Sequence, residues 1–480
     1  MTRPKDRPLV AADYTLGVVS FLFLAGLCPL ALVGWQDSEA STLNILLGYT
    51  IVLISSARLA QAISTGRTNV LAIIFHVFVY VFLGIASLAQ LVVGVYPLDQ
   101  LSYPQWVVAE GLAAILLGMI AYETGQFLGS RREHVTISAV HHAKWSFSQQ
   151  WVRTLGIFGL VMVVLVVART GLSPFFDSRD AAGSALIGAG SIGPQRYALE
   201  DKSSFALFAR AVKIPVFIAL FATLFMRHHQ LWQNTTPLGG LADRALLTAL
   251  IVANVVVNNP FSNARAWFGM IAISLVSIYV PFSKIRGKRL LAVGSLVMLL
   301  FAFTSLDAFR RTGGATFDAS GPQAGIVSDG SYSAFQTALN GVRYVERADH
   351  TNGMQVLGAL LGFVPRKVWA EKPEDTGSLI DPRYNRSSTL WTEAQVDFGL
   401  PGVAILFIIY GFGSARLEAT CRVGGGALWA SLPIFAGLQI FLLRGSLLPV
   451  MGSLYPLAAA IALVLTRRAV QEVGQRQILR

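Results

Sequence analysis

The chain is short of charge. Only 13% of its 480 residues are Asp, Glu, Lys or Arg, about half the share of an ordinary soluble domain. Cysteine is nearly absent. Cys28 falls in an apolar run and Cys421 in a short basic loop, so neither a disulfide framework nor a cysteine metal site is encoded. No internal repeat is visible, which argues against a transporter built from duplicated halves. Acidic pairs that could hold a metal are also missing. The nearest, Asp37-Ser38-Glu39, sits on a loop too short to build a site. Adjacent His141 and His142 are weak evidence for a metal, and no metal site or other cofactor is expected.

What fills the chain is apolar. Hydrophobic residues make up 54% and the mean hydropathy is +0.57. Runs long enough to cross a bilayer occur near 9–34, 43–60, 69–96, 105–126, 151–169, 205–226, 244–259, 264–282, 289–306, 399–415, 425–443 and 446–466. The expected fold is an all-α polytopic membrane protein with about 12 transmembrane helices. The basic start, Met1 to Arg7, precedes a long apolar run with no small-residue cleavage site, which reads as an uncleaved first span.

The pI near 9.9 does not require nucleic acid. Arg3, Lys5, Arg58, Arg67, Arg131, Arg132, Lys144, Arg227, Lys284, Arg286, Lys288, Arg289, Arg416, Arg422, Arg467 and Arg468 all fall on one side of the expected topology. The short loops 36–41 and 96–104 hold no Lys or Arg. By the positive-inside rule both termini are cytoplasmic. Three regions follow: residues 1–306 with nine spans and an outer loop at 170–204; a large outer loop, 307–398; and spans ten to twelve with a tail, 399–480.

The large loop holds nine Lys/Arg and eleven Asp/Glu. Loops of such length are usually functional. Gly313–Gly330 reads as irregular. Ser333-Ala334-Phe335-Gln336 has the pattern of a capping box, and Phe335, Ala338, Leu339, Val342 and Val345 predict an amphipathic helix to about Ala348. Arg343 and Arg347 share one face of it, with His350 three residues on. Two guanidiniums suit a diphosphate, and a histidine beside them suits proton transfer or phosphate binding. A solvated face pairing with Glu346 or Asp349 is the alternative. Gly353–Val364 is too short to span and reads as interfacial or re-entrant. Trp369 is an interface anchor, and Arg366, Lys367 and Lys372 sit at lipid-phosphate level. Arg265 opens a span after a polar Asn-Pro-Ser-Asn lead-in, and Arg210, Lys213 and Arg444 lie at outer span ends. Intramembrane charge is costly and usually faces a cavity or a partner, so these residues read as a positive funnel for an anionic lipid-linked substrate.

Val364-Pro365-Arg366 through Lys372-Pro373, then Thr392-Glu393-Ala394 and Phe398-Gly399-Leu400-Pro401-Gly402, resembles the Wzy-type oligosaccharide repeat-unit polymerases. The Asn-Ala-Arg265 start also resembles the Ser-Arg start in O-antigen ligases, with Ala264 in place of the serine. The resemblance covers about residues 260–410. It implies a GT-C-like, metal-independent glycosyltransferase of the cytoplasmic membrane. Its donor and acceptor would be undecaprenyl-diphosphate-linked oligosaccharides, with membrane lipids around it and a chain-length regulator as a partner. On this reading Arg265, Arg343, Arg347 and Arg366 bind diphosphate, with Lys372 and Arg210 in support, and His350 or Glu393 is the base. Glu393 could instead cap a helix or pair with an arginine. The competing readings are an O-antigen ligase and a flippase for lipid-linked oligosaccharide; a flippase predicts charge spread through many spans.

Overall fold

The computed structural model describes residues 11–34, 40–98, 102–131, 143–176, 211–229, 231, 237–260, 263–302, 326–327, 329–381 and 387–469. Fifteen helices organise these residues: α1 Ala11–Leu32, α2 Thr42–Thr65, α3 Val70–Val93, α4 Gln105–Arg131, α5 Gln149–Thr170, α6 Lys213–His228, α7 Pro237–Val257, α8 Arg265–Tyr279, α9 Ile285–Val297, α10 Ala334–Arg347, α11 Met354–Leu360, α12 Thr376–Ile380, α13 Leu390–Gly424, α14 Gly426–Arg444 and α15 Leu447–Val464. Nine among the described residues are long and apolar enough to cross a membrane. The remaining three expected spans correspond to α6 and α8, which are helical but shorter, and to α9, which continues through Met298–Ala302 but opens on Arg286, Lys288 and Arg289.

Helix ends follow local chemistry. Ser41 caps α2 by accepting from the Asn44 N–H, and Gly66 ends it with φ +61°. Helix α3 is the most hydrophobic of these spans and is buried from Val70 to Val92, as a helix with little polar face requires. It forms the centre of the bundle.

Helix α4 packs along α13 through glycines seven residues apart. A Cβ on Gly118 would meet the Trp391 indole at 2.2 Å, and one on Gly125 the Ile408 carbonyl at 2.2 Å. Small residues let apolar helices approach closely enough for dense dispersion contact where lipid removes the hydrophobic drive.

One element departs from an all-helical reading. Ala143–Phe147 (β1) pairs antiparallel with Leu465–Ala469 (β2), from Ala143 opposite Ala469 to Phe147 opposite Leu465. The ribbon ties the entry of α5 to the exit of α15.

Candidate functional site at the loop end

The polar stretch folds against one end of the bundle, here called the loop end. Helix α10 is not a surface helix over most of its length. Ala334 through Val342 are all buried, and only the last turn emerges. It lies against α4 and α13, where a Cβ on Gly111 would meet Leu339 and one on Gly341 would meet Thr392. Buried polar side chains along it are paired. Gln336 Oε1 accepts from the Leu98 N–H at 2.8 Å, and Tyr103 donates to Asn340 Oδ1 at 2.7 Å. The expected capping box does not form. Ser333 makes no side-chain cap, because Gln336 is turned inward to Leu98 and Tyr103.

Helix α13 is two arms joined at Gly399, whose φ of +65° and ψ of −156° break the helix. The arms fold back on each other. Trp391 and Phe407 rings stand 4.2 Å apart, and a Cβ on Gly402 would meet the Ala394 carbonyl at 2.7 Å. Pro401, at the start of the second arm, suits a helix N-terminus. The His350 ring lies over the bend, 3.2 Å from where a Gly399 Cβ would sit.

The first arm carries two buried carboxyls that tie the loop down. Glu393 accepts from Ser388 Oγ at 2.5 Å, from the Leu447 N–H at 2.9 Å and from the Thr376 hydroxyl. It therefore joins α12, α13 and α15. Asp397 accepts from the Gln355 and Val356 N–H groups at 3.1 and 2.9 Å and from the Thr351 hydroxyl. It holds the first turn of α11, where a carboxyl is favoured by the helix dipole.

The expected site residues sort into two groups by what they touch. Arg265 is buried and donates Nη1 to Asp329 Oδ2 at 3.2 Å. Asp329 in turn caps the Gly330–Tyr332 turn at the Ser331 N–H. Arg444 grips the same turn, donating to the Ser331 and Gly330 carbonyls at 2.8 Å each. The asparagine lead-in is equally structural: Asn258 bridges the Lys213 carbonyl and the Trp267 indole, and Asn263 donates to the Val257 and Asn259 carbonyls. Lys372 is buried, with its ammonium on the Gly362 and Val364 carbonyls at 2.7 and 3.0 Å. Burial, and then the charge of Arg366, hold that ammonium below the usual lysine range. Glu393 is likewise enclosed.

The second group faces outward. Arg347 and His350 are exposed, and Arg343 is half-buried with its guanidinium 5.5 Å from the Tyr103 ring centroid. Helix α10 ends at Arg347, since Ala348 is extended. Arg343 and Arg347 therefore share a helical face, while His350 reaches the bend from a separate segment. Arg366 is exposed and donates one Nη1 to the Lys372 carbonyl at 2.9 Å, which closes the Pro365–Pro373 turn on itself. Beside this turn, Phe363 and Val368 are 70% and 77% exposed, so an apolar ridge flanks the cations. Arg210, Asp37–Glu39, His141, His142 and most of loop 170–204 lie outside the described residues.

Sequence reasoning missed a charged cluster at the opposite end of the bundle. Glu123 receives His76 Nε2 at 2.6 Å and pairs with Arg58, so three spans, α2, α3 and α4, meet in one polar contact. Glu123 and His76, each inside an otherwise apolar run, were its signals. Among the described residues no group of three or more His, Cys, Asp or Glu side chains could hold a metal ion. Comparison with protein-family models, with curated proteins and with solved structures finds no match to the chain.

Proposed function

We propose that this chain is a glycosyltransferase that polymerises undecaprenyl-diphosphate-linked repeat units on the outer face of the cytoplasmic membrane. The observation that carries the reading is the outward set Arg343, Arg347 and His350. These basic side chains stand at the emerging end of α10 and over the α13 bend, while Arg265, Lys372, Glu393 and Asp397 are turned inward and used as anchors. The exposed Phe363 and Val368 beside the Arg366 turn suit the lipid end of a polyprenyl substrate.

In this mechanism Arg343 and Arg347 hold the donor diphosphate, with Arg366 in reach of lipid-level phosphate. Charge builds on the diphosphate as the glycosidic C–O bond breaks, and fixed guanidiniums stabilise it there. His350 takes the proton of the acceptor hydroxyl as its oxygen bonds to the anomeric carbon. Undecaprenyl diphosphate leaves, and the grown chain stays on the acceptor lipid. Arg265, Lys372 and Glu393 act as positioning residues that hold the loop carrying this set.

The test is complementation of a strain lacking the gene with Arg347→Ala and His350→Ala, at matched membrane abundance. We expect single repeats on the final acceptor in place of a ladder. Long chains from both variants overturn the assignment. Long lipid-linked chains that fail to reach the final acceptor indicate a ligase.

A further inference from the structure

A pocket of about 500 Å³ opens at the end of the bundle opposite the loop, within the size range of small-molecule sites. Its walls are apolar and come from four elements: Trp145 of β1, Phe225 of α6, Ile278 of α8, and Trp429 and Ala430 of α14, with Phe282 beyond α8. The ribbon forms one side and is seated closely. A Cβ on Gly426 would stand 2.3 Å from the Trp145 carbonyl. His229 borders the pocket, and burial, then the neighbouring His228, hold its imidazole below the usual histidine range. The lining thus stays uncharged near neutrality.

Charge begins where the wall ends. Ser283 lines the pocket, and the exposed Lys284 and Arg286 follow it directly. No Asp or Glu occurs between residues 276 and 302, so this stretch of the rim is cationic. An apolar cavity beneath a cationic rim, at a bundle end that the positive-inside reading places in the cytoplasmic leaflet, has the two-part chemistry of an amphiphile with an anionic head. We propose that this pocket is a binding site for an anionic phospholipid, its acyl chain between Trp145 and Trp429 and its phosphate on Lys284 and Arg286. The site lies at the far end from Arg347 and His350 and does not depend on the glycosyl-transfer reading.

The test uses the full-length protein purified in detergent, loaded with phosphatidylglycerol or phosphatidylcholine of identical chains, and native mass spectrometry. Wild type should retain phosphatidylglycerol preferentially. Lys284→Ala with Arg286→Ala, both surface changes, should weaken that retention roughly thirty-fold and leave phosphatidylcholine unaffected. Ala430→Trp, which fills the cavity, should displace both lipids. Equal retention of the two lipids by wild type overturns the proposal. So does unchanged phosphatidylglycerol retention in the double alanine variant, which alters only exposed side chains and reports even if Ala430→Trp fails to fold. A pocket filled by the chain itself or by a second copy would show as lipid retention indifferent to Ala430→Trp, and that also overturns it.

Discussion

Glu393 separates two roles that a carboxyl in this loop could have. As an anchor, its value lies in three accepted hydrogen bonds; as a base, its value lies in taking a proton. Glu393→Ala removes both acceptor oxygens and so all three bonds. The Ser388 hydroxyl has a second partner in Ser446 Oγ at 3.2 Å, and the Thr376 hydroxyl has one in Gln355 Oε1 at 3.2 Å. The Leu447 N–H is left with no replacement among the described groups, at about 1–3 kcal/mol. Lost packing of the side chain and weaker bonds at the two hydroxyls raise the total to about 3–5 kcal/mol. Glu393→Gln behaves differently. Its amide oxygen can keep Ser388 and Leu447, and its NH2 can donate to Thr376, which already has an acceptor in Gln355. That substitution should cost about 1 kcal/mol. The assay is the apparent unfolding midpoint of the detergent-purified protein by fluorescence-detected size exclusion, alongside glycan ladders from the complemented strain. We expect Glu393→Ala to lower the midpoint strongly, and Glu393→Gln to lie near wild type and keep its ladder. A stable Glu393→Gln protein with no ladder would refute the anchor argument and make Glu393 the base.

Further outcomes follow from the same geometry. Gly411→Leu should nearly abolish membrane-inserted protein on quantitative immunoblots, because even a Cβ there meets the Tyr122 carbonyl at 2.1 Å; normal abundance would remove the case for the α4–α13 seam. Gly399→Ala should lower the unfolding midpoint by the equivalent of about 1–2 kcal/mol, since it forces a non-glycine residue to positive φ and displaces His350; an unchanged midpoint contradicts it. Arg265→Ala should destabilise by about 3–5 kcal/mol by taking the guanidinium from buried Asp329, and adding Asp329→Ala should recover part of the loss. Additive losses would show that the two are not coupled.

The apolar runs made the bundle legible. A 3.6-residue period and span length are properties of local sequence, and α3 lies where its apolar run, 69–96, placed it. The break at Gly399 was marked by a Gly-x-Pro-Gly pattern, but that the arms fold back is a tertiary fact carried by Trp391 and Phe407. The basic residues were visible too; their partners were not. Arg265 and Asp329 are 64 positions apart, and nothing local says that one guanidinium will be buried against a carboxyl while Arg347 stays open. Lys372 shows the same limit: a lysine in a Pro-Arg…Lys-Pro run reads as a phosphate ligand until its ammonium is found on two carbonyls. The β-ribbon left no trace, since Leu465–Ala469 follows the last span without a turn signal and its Arg467 and Arg468 read as the basic flank of that span.

That ribbon bears on how the chain is made. Strand β1 emerges early in synthesis, yet its partner lies more than 300 residues later, and the Ser148 N–H that opens α5 bonds to the Val464 carbonyl. Helices inserted before the last span must wait with one seam open. The contact between the entry of α5 and the exit of α15 is complete only when the final strand is released, so an arrest or truncation before Leu465 leaves the spans inserted and that ribbon unmade.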